Sequence, residues 1–490
     1  MARSLGVFGD VVSSRWALVS RPLRLPAHPD VPEPPLTRLI HLWDAFRTSF
    51  WFIPALMGVA AVLLAFALPE IDSRMGRDVA EESAWLATTV SAGQTTVSTI
   101  AGASVTVTGV VFSITMVTLS LTTNQFGPRL IRAFMADRTA QITLGAWVST
   151  SLYCLIILRL IRGLEGGAIV PHISVLASVV LATVDLAILV YFVHHTAEMV
   201  QPSHVVREVA GDLDDAIDRL FPERIGTPGA EIEPVDRAAA PALSGQARTV
   251  TVPRDGYVQG VDEPALMQIA KDADVTIELL HRPGDFVADG LSLARVRPPG
   301  RGDADETDRR IREAFVIGRD RTPRQDLGCA IGELTEIAVR ALSPGVNDPF
   351  TAVQCIDGLS ATFGRLAARD RPDPHRYDDD QNLRIVARPI TFGEALGEAY
   401  DPIRQYCRGS LMVNETLLIG LGRIAATVDR PGDADELFRQ AEMIVRGSDE
   451  GLSEPRDRER IRRRLAEVRI ALSQFDPPAD VSFESRTAPR

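Results

Sequence analysis

The chain has 490 residues, 24% of them charged and 46% hydrophobic, with a formal net charge of −12. That length allows two or more domains, and the acidic balance argues against a nucleic-acid binder, which needs a concentrated basic surface. The averages hide a division: apolar residues crowd into four windows before residue 200, and nearly all the long charged runs come later.

Cys154, Cys329, Cys355 and Cys407 are far apart and form no CxxC pair, a spacing that fits reduced thiols and offers no zinc signature. The 1–45 leader is Pro-rich, has too little apolar content to fold alone, and shows no signal-peptide pattern. Residues 46–200 then hold the four windows, 50–68, 101–123, 142–158 and 171–193. Each approaches the roughly 20 apolar residues that cross a bilayer, so the expectation is a four-span, multi-pass helical membrane domain. The loop between the first two windows is mainly acidic. The loop between the second and third carries Arg129, Arg132 and Arg138, and Arg38 and Arg47 precede the first window. Basic loops favour the cytoplasm, which predicts that both termini are cytoplasmic. The near-exclusive use of Arg, with Lys271 the sole lysine, fits the coding bias of a GC-rich bacterium and hence its inner membrane.

The second window is rich in hydroxyls. Ser104, Thr108, Thr115, Thr118 and Thr122 fall on one helical stripe, and Gly102, Thr106, Gly109, Ser113 and Ser120 on another. Such stripes suit either an aqueous path or close helix packing, and the two readings can hold on different faces. In the fourth window, Asp185 lies about 14 residues in. A carboxylate at that depth must face protein or water, and Thr115, Thr118, Ser149 and Thr150 are the hydroxyls at matching depth. It is either an element of an ion pathway or a hydrogen-bonded structural carboxyl. Arg159 sits too near the outer surface to pair with it. His194 and His195, adjacent on a helix, point about 100° apart and read as interfacial anchors rather than metal ligands.

Residues 201–246 read as a stalk helix followed by a Pro/Gly/Ala-rich linker. A small β module of 247–300 follows, with strands at 249–252, 275–280 and 291–296. Its GDxVxxG turn, beginning at Gly284, is similar to the turn of barrel-sandwich domains. Those domains modify a lysine at a hairpin tip, whereas Lys271 lies in a helix-like stretch, so no cofactor is expected. The mainly helical subdomain, 301–430, carries a helical run over 306–342 with Asp326 as an N-cap. Asp348 and Pro349 open the next helix, and 384–390 reads as a lone strand. Glu333, Glu336 and Arg340 share one helix face, a pattern more usual for an exposed ion-paired surface than for catalysis. Residues 431–490 hold further helices and a charged tail.

Several of these segments also carry a likeness. The run from Gly109 to Thr115 (GVVFSIT), leading to Asn124–Leu130 (NQFGPRL), resembles a family of predicted bacterial membrane proteins, domain of unknown function 2254. YFVHH from Tyr191, RPGDFVADG from Arg282, TPRQDLG from Thr322 and ALSPGVNDPFT from Ala341 extend the resemblance over roughly 35–430. It implies four N-terminal spans and a cytoplasmic C-terminal region, and brings no assigned chemistry.

The expected architecture is therefore a four-span membrane domain followed by a cytoplasmic α+β region, which combines a small β-barrel-like module with a helical subdomain. The functional expectation is a homo-oligomeric ion channel or conduit in the lipid bilayer, tuned by its cytoplasmic part. Thr108, Ser113, Thr115, Thr118, Thr122 and Asp185 are its candidate intramembrane polar residues. The alternative is an anchored sensor or scaffold without transport. The chain carries no GxxxxGK, HExxH or GxSxG, so an enzyme ranks third.

Overall fold

The computed structural model describes residues 50–82, 89–126, 137–162, 172–199, 201–221, 246–299 and 303–475. The leader, most of the linker, the basic segment holding Arg129 and Arg132 and the C-terminal tail lie outside these residues.

Four helices are long and apolar enough to cross a membrane: α1 (Phe52–Glu82), α2 (Val90–Phe126), α3 (Arg138–Arg162) and α4 (His172–Met199). They match the four expected windows, each running further because hydrogen-bonded turns continue past the apolar stretch. Helices α2, α3 and α4 pack on one another, and α1 joins through a small core that includes Ala61, Ala65, Val97, Tyr153 and Ile157. Gly145 marks a close approach: a Cβ there would lie 2.7 Å from the Met57 sulfur and 3.1 Å from Pro54 Cα.

After α4, helix α5 (Pro202–Leu220) starts afresh, with Pro202 in its first turn. It does not stand free. Val205, Val209, Leu213 and Ile217 are buried in the core of a helical body. That body is completed by α8 (Leu327–Ala341), α9 (Pro349–Ala367), α10 (Phe392–Tyr406), α11 (Leu411–Ala425), α12 (Pro431–Gly451) and α13 (Pro455–Ala471). Local chemistry places the starts. Asp326 caps α8 by accepting from Cys329 N at 3.0 Å, and Asp348 caps α9 ahead of Pro349. Thr391 and Glu394 form a reciprocal capping box on α10.

The β module has two sheets. Strands β1 (Arg248–Thr251), β3 (Thr276–Leu279), β5 (Ser292–Arg297), β7 (His375–Tyr377) and β8 (Leu383–Val386) make one, in the order β1-β5-β3-β8-β7. Strands β2 (Gly256–Val261), β4 (Phe286–Val287) and β6 (Phe315–Gly318) make the other, ordered β4-β2-β6. Helices α6 (Glu263–Ala273) and α7 (Ala304–Glu313) contribute Leu266, Ile269 and Ile311 to the shared core.

Two sequence readings change here. The helical run 306–342 is interrupted by strand β6, because Phe315 and Ile317 alternate into the module core while Val316 stays outside. The segment read as a lone strand pairs in parallel with β3 and antiparallel with β7, so distant chain closes the first sheet. Lys271 lies on α6, not in a hairpin turn of its own, and pairs at 2.7 Å with Asp379 in the turn between β7 and β8.

Candidate functional site

The membrane helices bury a set of polar side chains against one another. Ser104, Thr115, Thr118 and Thr122 on α2 are buried, as are Thr143, Ser149 and Thr150 on α3 and Ser174, Ser178 and Asp185 on α4. Thr108 is half-buried on the same side of α2. The outward surface holds Leu63, Phe66, Val105, Val117, Val184 and Val190, all well exposed. Of the six residues singled out, Thr108, Thr115, Thr118, Thr122 and Asp185 thus share the interior. Ser113 does not: it is exposed with Gly102, Thr106, Gly109 and Ser120 on the opposite face of α2, where added Cβ atoms at Gly102 and Gly109 would meet nothing within 4 Å.

Several interior hydroxyls donate to their own helix, Thr108 to Ser104 O at 2.7 Å, Thr115 to Val111 O at 2.8 Å and Ser151 to Trp147 O at 2.7 Å. A hydroxyl whose proton is committed to a carbonyl offers only lone pairs to its surroundings, so these three present acceptors. Asp185 is only 2% exposed and meets the Thr150 hydroxyl, one of the four expected at its depth. Among the described residues its Oδ2 has no hydrogen-bond partner, and neither do the buried Ser149 Oγ and Trp147 Nε1. Arg159 is exposed and makes no ion pair with it among the described residues.

Two aspartates fasten opposite ends of these helices. Asp72, at the end of the first span, accepts from Ile173 N and Ser174 N, both at 2.9 Å, and from Ser174 Oγ at 2.7 Å. It thereby caps α4 from another helix, where the dipole favours an anion. Asp137 caps α3 through Thr139 N and Ala140 N and meets His195 Nε2 at 3.2 Å. Tyr191 stacks on that imidazole with ring centroids 5.9 Å apart, while His194 faces Glu198. The interfacial role expected of the histidines is thus a specific tie from α4 to the start of α3. Sequence reading missed both aspartates; a lone acidic residue just outside an apolar window was the available signal.

A second site lies between the β module and the helical body, in a cleft of about 1420 Å³. Two segments that carry the family likeness meet in its wall. Gly284 has φ +99°, and a Cβ there would fall 2.6 Å from Asp326 Oδ2, so only glycine permits this approach. Asp326 also takes a two-pronged contact from Arg321 at 2.7 and 2.8 Å. The neighbouring Gln325 mimics a strand edge, accepting from Val261 N at 2.8 Å and donating to Val261 O at 3.3 Å. Arg282 crosses to Glu394 at 2.8 Å. Burial pushes the Glu398 carboxyl above its usual range, against the pull of Arg321 and Arg282.

Eight arginines and six carboxylates line the cleft, and Glu394 and Asp433 beside it pair with Arg282 and Arg371. Arg324 makes no ion pair among the described residues, and Arg219 grips the carbonyls of Pro323 and Arg324 rather than a carboxylate. The lining suits an anionic group. Glu336 and Arg340 pair with each other at 3.0 Å on a partly exposed helix face, away from this lining. The membrane and the cleft are physically joined: α2 packs directly on α8, and α8 begins at Leu327 in the cleft wall.

A family model described as "Predicted membrane protein (DUF2254)" matches residues 47–422. The chain is similar to uncharacterised proteins of Mycobacterium bovis and Mycobacterium tuberculosis, 31% identical over 359 residues, covering 72% of this chain and 68% of each relative. No solved structure matches.

Proposed function

The chain belongs to this predicted membrane protein family, and from that premise we propose that it conducts a cation through the polar interior of its spans under control of the cleft. The observation that carries the reading is Asp185, buried in a membrane helix with one carboxylate oxygen unpartnered. An intramembrane carboxylate is expensive unless it serves a pathway or a bond network. Thr150 meets one side of the carboxyl while Oδ2 keeps an open acceptor, an arrangement suited to a cation or a proton and unsuited to an anion. The contact of α2 with α8 supplies a route by which occupancy of the cleft by an anionic ligand reaches the second span. The outward small-residue face around Gly102, Gly109 and Ser113 supports assembly of several copies, since small residues let membrane helices approach closely. In this reading the protein sits in the inner membrane, with the cleft in the cytoplasm.

The direct α2–α8 contact also favours a second reading, an anchored sensor in which cleft and spans communicate without permeation. Single cysteines distinguish the two. With conduction, Thr108→Cys, Thr115→Cys and Thr118→Cys react with a small cationic thiol reagent added in water, while Val105→Cys and Val117→Cys on the outward face do not. Unreactive inward positions, with changes on adding an anionic ligand that reach α2 from the cleft, would establish the sensor.

A further inference from the structure

We infer that the loop joining α8 to α9 touches the lipid surface of the membrane its own spans cross, with Val346 and Phe350 as the inserted side chains. Both are exposed, Phe350 at 70% and Val346 at 47%, on a turn that Asn347 makes with φ +50°. Asp348, the sole charge between Ser343 and Gln354, is engaged in capping α9 through Phe350 N and Thr351 N.

The register of α5 against α9 gives the height of this loop. Thr362 bonds Asp214, and Arg369 donates to Phe221 O, each pair separated by 148 residues. Gly358 faces Ala210 at the same separation. A constant offset means that the helices run parallel, and it sets Phe350 level with Pro202. Pro202 follows the end of the fourth span at Met199 by three residues, and packed helices lie only about 8–10 Å apart. Helix α8 agrees. Arg219, at the far end of α5, holds the carbonyls of Pro323 and Arg324 just before α8 begins. The two helices therefore run antiparallel, and α8 returns toward the spans, where it meets α2. A loop that ends this return with two uncharged apolar side chains faces the bilayer, and interfacial apolar residues bind such a surface by burying area among headgroups.

The test uses the full-length protein in phosphatidylcholine liposomes. A polarity-sensitive nitrobenzoxadiazole is attached at Phe350→Cys and, as a control, at Ile470→Cys. The native cysteines are all buried and add little background. Ile470 is equally exposed, at 72%, but lies at the membrane-distal end, where Gln474 reaches Val428 O and Thr427 faces Gly364 near the end of α9. The expected result is a blue-shifted emission at position 350, quenched several-fold more by shallow spin-labelled lipids than at 470. Equal weak quenching at both positions would overturn the inference. So would a blue shift without lipid quenching, which would show that protein covers the loop, a second copy included.

Discussion

The membrane helices and the helical body differ in what they bury. Inside the spans Ser104, Thr115, Thr118, Thr150 and Asp185 lie beside apolar side chains such as Val97, Tyr153 and Ile157, with Leu63, Phe66 and Val190 outside. Inside the body lie Leu334, Leu359, Leu417 and Leu421, with arginine–carboxylate pairs such as Arg423–Asp357 and Arg439–Glu436 outside. Each plan suits its solvent. Water drives apolar groups into the body, whereas lipid is as apolar as leucine and gives span–span contacts no comparable drive. The spans are held by close approach as at Gly145, by the small apolar cluster around Tyr153 and by the two capping aspartates. Their interior is thereby available for polar chemistry that the body's interior excludes.

Substitutions can break that contrast. Leu417→Ala, in the body core, should cost about 2–5 kcal/mol, read as a lowered urea midpoint for the purified protein in detergent. Gly284→Val forces a side chain onto Asp326 at a positive φ and should cost about 1–3 kcal/mol from backbone strain alone, with the β module losing protection from amide exchange first. Asp72→Ala removes the cap on the fourth span and should cost about 1–2 kcal/mol, seen as a lower Tm in detergent with the body unaffected. Thr118→Val should cost the least, below about 1 kcal/mol, because polar contacts between membrane helices contribute little to stability. A large loss there would erase the contrast between the two interiors.

A pH effect extends the comparison to the β module. Burial opposes ionisation of Asp378, yet Arg384 and the Asn382 amide bring its pKa from 3.8 down to about 2. A depressed carboxyl contributes stability above pH 3.8 and loses it as pH falls toward 2. The β7–β8 hairpin should therefore loosen first between pH 4 and 2, measured by amide exchange corrected for intrinsic rates, and Asp378→Asn should flatten that dependence.

Much of this was legible in the sequence. The four apolar windows declared the spans, and Asp326, Asp348 and Pro349 announced helix starts because capping depends on residues a few positions apart. The depth of Asp185 narrowed its partners to four hydroxyls, of which Thr150 is the one it meets. Features made by distant chain were hidden. Strand β6 reads as a continuation of helix until its partner Gly256–Val261 is placed beside it. The cleft needs residues from α5, the RPGD turn and the segment before α8 together. Periodicity separated the two stripes of α2 but could not say which faced inward, and Ser113 fell on the outward one.

The most direct measurement is cation flux through the purified protein in liposomes, with Asp185→Asn beside the wild type. Flux above that of empty liposomes, falling toward the empty value in Asp185→Asn while the protein keeps its Tm, is the predicted result. Equal flux in both proteins, or none in the wild type across pH, voltage and anionic additives, would contradict a conducting interior centred on Asp185.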